Sequence, residues 1–308
     1  MCYVQSFLYH VHFSHLSYFY RPMFFPHLVE NEEKEYNKRM EDLEQRYDNY
    51  TQTEKYIKCT SYQFSDRIEG SQMDSLELCA GSEHLSNALS AVGFTTTTLD
   101  NDLKNRQATS QLSLDQLEEM IVNQHTLPPY LDKRFSIIWS GPECRTWSRA
   151  GSGTYRNKSM IDGFVNRAYE KDACQARRDI ESLVNILSFY RTSNPHLIMV
   201  IENPEGYLKH HPVSTLFSTV LGLTEVTISY CRWSTEIDKW PEKHTNLWTN
   251  SSLLISSFGD DRYKCKSDSI CLSKGLDGRH TVLVQDLKDK CSAYPPRMCQ
   301  YIAGLLRK

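Results

Sequence analysis

The chain lacks most of the features that would place it quickly. It has no apolar run long enough to cross a bilayer. Its aromatic start, "MCYVQSFLYHVHFSHLSYFYRPMFFPHL", is interrupted by His and Ser and has no basic leader, so no secretory signal is expected. It has no Cys-x-x-C pair, and ten cysteines in 308 residues are too few and too irregular for a secreted disulfide scaffold. Reduced thiols and an intracellular setting follow as expectations, with nucleus and cytoplasm unresolved, and no membrane partner is expected. The chain also has no large excess of either charge, since the net value is -3, so no global basic field points to nucleic acid. Finally, it has no G-x-G-x-x-G fingerprint, which argues against a pyrophosphate-bearing cofactor.

The charge that is present is unevenly placed. Eight acids against four bases lie between Glu30 and Tyr50, and eight bases against four acids lie between Gly141 and Arg178. Residues 1–72 read as an N-terminal extension, in part disordered by expectation, with "ENEEKEYNKRMEDLEQRYDNY" as a solvated helix. Residues 73–308 read as the folded domain, with a short insert at about 251–292.

Within that domain strands and amphipathic helices alternate. "SLELCAG" reads as a strand ending in a turn, and "SEHLSNALSAVGF" as a helix with Leu85, Ala88, Leu89 and Val92 on one face and Gly93 at its end. "TTTTLD" is a β-branched strand closed by Asp100. "SLDQLEEMI" carries a capping box from Ser113 to Gln116 and buries Leu114, Leu117 and Ile121. "FSIIWS" is the next strand, and the helix "CQARRDIESLVNILSFY" aligns Ile180, Leu183, Val184 and Leu187. "LIMVIENP", "EVTISYCRW" and "TNLWTN" complete the strands. The first is apolar on both faces, as in a covered parallel sheet. The order predicts an α/β, doubly wound, mostly parallel sheet.

In such sheets ligands bind at the carboxyl ends of the strands. The first turn, "ELCAGSEH", places Gly81 where the backbone can approach a ligand, though one glycine after a strand also serves as a plain turn. Asp100 ends the second strand, where an acid can hold a ribose diol. Cys144, in "FSIIWSGPECRTWSRAGSGTYRNKS", is either a small buried residue at a strand end or a nucleophile. Arg145 and Arg149 would favour its thiolate, and Glu143 would oppose it. Glu202, in "IENPEG", follows four apolar residues, a costly position for a carboxylate unless it is paired or used.

These residues resemble the cytosine-C5 methyltransferases, most closely small, divergent phage- and protist-type members. "LELCAGSEHLSNALSAVGF" is similar to the family's cofactor turn, "SGPECRTWSRAG" to its Pro-Pro-Cys loop, and "IENPEG" to its Glu-Asn motif. "KHTNLWTN" stands where the family has a Gln-x-Arg-x-Arg strand, and "AYPPRMCQYIAGLL" is similar to its final helix. The resemblance covers roughly residues 74–308, in order. It implies a Rossmann-like fold of the S-adenosylmethionine-dependent methyltransferase type, and S-adenosylmethionine held by Glu77, Cys79, Ala80, Gly81, Ser82, Asp100 and Pro142. It further implies Cys144 as the nucleophile at cytosine C6 and Glu202 as the acid at N3. Arg145, Ser148, Arg149, Arg156, Lys158, Lys243 and His244 would meet nucleic acid, with DNA favoured over RNA. Gly151 and Gly153 would let the cysteine loop move over a flipped base.

The pattern departs from the family at several positions. Cys79 replaces an aromatic, Glu83 a glycine, Glu143 a proline and Arg145 a glutamine, while His244 and Asn246 replace the arginine pair. Two alternatives therefore stay open. One is a catalytically degenerate protein that binds nucleic acid or cofactor, and the other is a methyltransferase acting on RNA or another substrate, with Cys144 only structural. The short insert predicts relaxed sequence specificity. Its Cys265, Cys271, His280 and Cys291 could in principle bind zinc, but without Cys-x-x-C spacing no metal is expected.

Overall fold

The computed structural model describes residues 73–101, 108–123, 127–149, 170–266, 271–274, 280, 290 and 292–307. The N-terminal extension, Gly151, Gly153, Arg156, Lys158 and Cys291 lie outside the described residues.

A six-stranded sheet in the order β2-β1-β3-β4-β6-β5 organises the domain. β1 spans Asp74–Leu78, β2 Thr95–Leu99, β3 Ile137–Ser140 and β4 Ile198–Pro204, and these four are mutually parallel. β5 (Thr224–Ser229) and β6 (His244–Thr249) pair antiparallel, and β6 also pairs antiparallel with β4. β6 is thus the one reversed strand in an otherwise parallel sheet. The chain leaves β1 toward one edge, to β2, and then crosses back to β3 on the other side of β1. That reversal is a topological switch point, where the strand ends open into a crevice.

The helices follow from local sequence. α1 (His84–Ala91) buries Leu85, Ala88 and Leu89, and Gly93, at φ +102°, turns the chain into β2. α2 (Leu114–Val122) opens with the expected capping box, Gln116 N–H donating to Ser113 Oγ at 3.2 Å and Ser113 N–H to Gln116 Oε1 at 2.9 Å. α3 spans Glu170–Ser193, with Ile180, Leu183, Val184 and Leu187 all fully buried. α4 (Thr215–Thr219) is a short helix that precedes β5 in the chain.

Two further helices complete the domain. α5 (Ser252–Phe258) sends Leu254 and Phe258 into the main core, so the segment read as an insert begins with a core helix. α6 (Pro296–Leu306) contributes Met298, Ile302 and Ala303 and packs against α1. One face of the sheet therefore meets α1, α5 and α6 through Ile137, Trp139, Val200 and Leu247. Alternation puts Ile138 and Ile201, equally buried, on the opposite face.

Candidate active site

The turn after β1 is built on unusual backbone. Cys79, Gly81 and Glu83 have φ of +58°, +52° and +54°, so left-handed residues alternate through it. Gly81 adopts this freely, but each of the other two costs on the order of 1 kcal/mol, and such strain collects at ligand sites. Glu83 thus holds a conformation that glycine adopts more readily. Asp100, at the end of β2, fixes the turn by accepting the Gly81 N–H at 2.7 Å through Oδ2.

Glu77 is buried within β1, where Oε2 accepts the Ser86 N–H at 3.0 Å and also the Ser86 hydroxyl. Burial pushes its carboxyl up to about 7, against the lowering effect of the Ser86 bonds. Glu77 Oε1 and Ser82 Oγ are buried and find no hydrogen-bond partner among the described residues.

The end of β3 lies beside this turn, with Gly141 N–H donating to Leu78 C=O at 3.2 Å. Gly141 has no room for a side chain, since a Cβ there would stand 2.1 Å from Tyr294 Oη. Pro142 C=O accepts from Asn203 Nδ2 at 3.2 Å, which joins the cysteine loop to β4. The loop then tightens under Glu143, whose carboxylate accepts the backbone N–H groups of Arg145 (2.7 Å) and Thr146 (3.2 Å). It also pairs with Arg145 Nε at 2.8 Å. Trp147 is fully buried, its ring edge-on to His211 at 5.2 Å, and its C=O accepts the Tyr207 N–H at 2.8 Å. Pro142 and Trp147 therefore tie this turn to the body of the domain.

Cys144 is partly buried, and desolvation raises its thiol pKa. The main opposing charge is Lys243, while Glu202 and Glu143 raise the pKa further. The expectation named Arg145 and Arg149 as the activating cations, whereas the leading one is Lys243. Arg145 is engaged by Glu143, and the effective cation arrives from the start of β6. Arg149 is exposed, and His210 is depressed first by burial and then by the charges of Lys209 and Arg149. Ser148 N–H donates to Cys144 C=O at 2.9 Å, within the turn.

Glu202 is the most heavily partnered group of the crevice. Its Oε1 accepts from Tyr230 Oη at 3.0 Å and Thr245 Oγ1 at 3.2 Å, with Lys243 Nζ at 3.5 Å. Its Oε2 faces the end of β3, 3.5 Å from where a Gly141 Cβ would stand. Lys243 also sits 4.5 Å from the Tyr230 ring centroid. Tyr230 and Tyr294 are buried, and both phenols are held well above their usual range, first by burial and then by the Glu202 charge. Tyr294 accepts from Trp139 Nε1 at 3.2 Å, and its C=O lies 2.7 Å from His84 Nδ1. The segment leading into α6 thus meets the start of α1, just after the first turn.

No protein-family model matches the chain, and no curated protein matches it. Solved structures do. The chain is similar to the Entamoeba histolytica methyltransferase EhMeth at 11% identity and a TM-score of 0.32, over 60% of this chain and 55% of that one. It is similar to the S. pombe Dnmt2 methyltransferase at 13% identity and a TM-score of 0.32, over 58% and 49% of the two chains. A Spodoptera frugiperda DNMT2 variant gives 14% identity and a TM-score of 0.34, over 58% and 50%. The matched region spans about half of each of these chains.

Of the residues expected at the site, the fold brings together Glu77, Cys79, Ala80, Gly81, Ser82 and Asp100 at one strand end. Pro142, Cys144, Glu202 and Lys243 gather at the neighbouring ends. His244 goes elsewhere. β6 alternates, so Thr245 and Leu247 share the Glu202 face while His244 and Asn246 point away. The His244 ring instead meets Ser229 Oγ at 2.7 Å and Glu242 Oε1 at 3.5 Å. Tyr230, Thr245 and Tyr294 were not anticipated. The usable signal was the phenol itself, since a tyrosine at the end of an apolar segment needs a partner for its hydroxyl. Among the described residues no helix is long and apolar enough to cross a membrane.

Proposed function

We propose that this chain is an S-adenosylmethionine-dependent methyltransferase acting on C5 of cytosine in nucleic acid, with DNA as the favoured substrate. One observation carries the reading: Cys144 and Glu202 stand at the carboxyl ends of adjacent parallel strands, at the switch point and beside a strained glycine turn. The residues of that turn fit the cofactor in kind. Buried Glu77 Oε1 and Ser82 Oγ have no protein partner among the described residues, and Asp100 closes the turn. Glu77, Cys79, Ala80, Gly81, Ser82, Asp100 and Pro142 would hold S-adenosylmethionine, which supplies the methyl group when bound.

The chain's own residues perform the remaining chemistry. Cytosine C5 is a weak nucleophile until a thiolate adds to C6. Cys144 makes that bond, and Lys243 favours its ionised form. Glu202, oriented by Tyr230 and Thr245, bonds to N3 and relieves the charge that builds on the ring. After C5 is methylated, water takes the C5 proton, the electron pair left behind re-forms the C5–C6 double bond, and the C6–S bond breaks to restore the thiolate. Arg149, with Arg156 and Lys158, would meet the phosphates of a flipped or single-stranded base.

A second reading draws on Glu143. Its carboxylate raises the Cys144 pKa and occupies Arg145, which favours a chain that binds cofactor without turning over. Nucleoside analysis after incubation with S-adenosylmethionine separates the readings. 5-Methylcytosine in DNA, lost in Cys144→Ala, is expected. Product in RNA alone would move the substrate, and turnover surviving Cys144→Ala would end the thiol mechanism.

A further inference from the structure

Four soft donors converge on a site that is separate from the crevice. Cys231 follows β5, Cys265 and Cys271 come from the segment after α5, and His280 lies beyond it. Their ligand atoms all lie within 4.8 Å of one another. We propose that Cys231, Cys265, Cys271 and His280 form a structural zinc site.

The geometry suits that ion. A tetrahedral site with Zn–S of about 2.3 Å and Zn–N of about 2.0 Å has edges of roughly 3.5–3.8 Å. Cys265 Sγ lies 3.5 Å from His280 Nε2, already at such an edge. Three thiolates and one imidazole are the donor set that selects zinc among common divalent ions, and four protein ligands leave no open position for chemistry. The outer shell is also present. His280 Nδ1 lies 2.9 Å from Glu242 Oε2, so a carboxylate orients the ring and leaves Nε2 toward the sulfurs.

The surrounding backbone is arranged to hold these ligands. Cys265 N–H donates to Ser229 Oγ at 2.9 Å, and Cys271 Sγ lies 3.4 Å from Cys231 C=O. Sequence alone did not show this set. Cys231 precedes the insert and is delivered by β5, whereas Cys291, counted from proximity, lies outside the described residues. The expectation of no metal rested on the missing Cys-x-x-C spacing, and a site assembled from separated segments does not need that spacing.

The site would do more than close the segment. Ser229, which holds Cys265, also meets His244, and Glu242, which holds His280, meets it from the other side. Zinc would thereby fix the start of β6, where Lys243 reaches Glu202. The insert becomes a clasp on the strand that carries the crevice's cation.

The test is metal content. The full chain, purified without a metal-affinity tag under reducing conditions, is measured by inductively coupled plasma mass spectrometry. About one zinc per chain is expected. Cobalt exchanged into the wild-type chain should give thiolate-to-metal charge transfer and the strong visible bands of a tetrahedral site. Cys271→Ser and His280→Gln should each lower zinc retention against a chelator at least about tenfold. Because a variant can fail to fold, the cobalt spectrum of the wild-type chain stands independently. A folded, reduced chain that takes up neither zinc nor cobalt overturns the proposal. So does full zinc retention in folded Cys271→Ser, or a disulfide among the three cysteines in freshly isolated protein.

Discussion

Lys243 reaches Glu202 because β6 runs backwards: its ammonium stands 3.5 Å from Oε1 at the end of β4. In an antiparallel pair the start of one strand lies beside the end of the other. The residue before β6 therefore arrives at the same edge as the carboxyl end of β4. The same cation opposes the rise in the Cys144 pKa, so one side chain serves both the acid and the thiol.

Removing that cation should make Cys144 less reactive at neutral pH. Lys243→Met raises the thiol pKa further, since the group that favours the thiolate is gone while burial and Glu202 remain. Peptide-resolved mass spectrometry of iodoacetamide labelling should show the Cys144 pH profile displaced to higher pH in the variant. An unchanged profile would remove Lys243 from the site.

Glu202→Gln keeps an acceptor for Tyr230 and Thr245 but cannot carry the acid's charge or proton. Single-turnover methyl transfer should fall about 10²–10⁴-fold, with thermal stability and cofactor binding largely kept. Turnover close to wild type would contradict the role given to Glu202.

Gly141→Ala tests the contact between the end of β3 and Tyr294, in the segment leading into the final helix. The new Cβ would stand 2.1 Å from Tyr294 Oη and 3.3 Å from Cζ. Destabilisation of about 1–3 kcal/mol is expected, as for an overpacked core. Adding Tyr294→Phe deletes the clashing oxygen, so the double variant should recover part of that loss in urea denaturation. No recovery would mean that the clash is not with the phenol.

Glu77 should make stability depend on pH. In the folded chain its carboxyl keeps a proton up to about pH 7, because burial raises its pKa. In the unfolded chain it releases the proton near 4.3. Between these values the folded state holds more protons, so stability falls as pH rises and levels off above about 7. The fall attributable to this group is roughly 4 kcal/mol. Glu77→Gln should remove it, so the variant gains on wild type between pH 5 and 8 in urea denaturation. A wild-type-minus-variant difference that does not change with pH would contradict this.

Much of the fold was legible because local chemistry decided it. Ser113 and Gln116 mark a helix start through a reciprocal cap, and "LIMVIENP" marks a central strand by its doubly apolar run. Glu202 could be singled out because a carboxylate after such a run requires partners. The reversal of β6 was not legible, since "HTNLWT" has the same alternation in either direction. Proximity along the chain also misled: Arg145 stands next to Cys144 in sequence, yet Glu143 holds it. Lys243, distant in sequence, is brought to the thiol by the pairing of β6 with β4. The same limit hid Cys231 from the soft-donor cluster.

The thiol mechanism is tested most directly by trapping. Wild-type chain and Cys144→Ala are incubated with S-adenosylmethionine and DNA or RNA oligonucleotides carrying 5-fluorocytosine, and intact-mass spectrometry then looks for an adduct. Fluorine at C5 cannot leave as a proton does, so the C6–S bond should persist. The expected result is an adduct between the wild-type chain and DNA, mapped to Cys144 and missing from Cys144→Ala. An adduct that survives in Cys144→Ala, or none on any oligonucleotide in protein shown to bind S-adenosylmethionine, would contradict the assignment of Cys144 as the nucleophile.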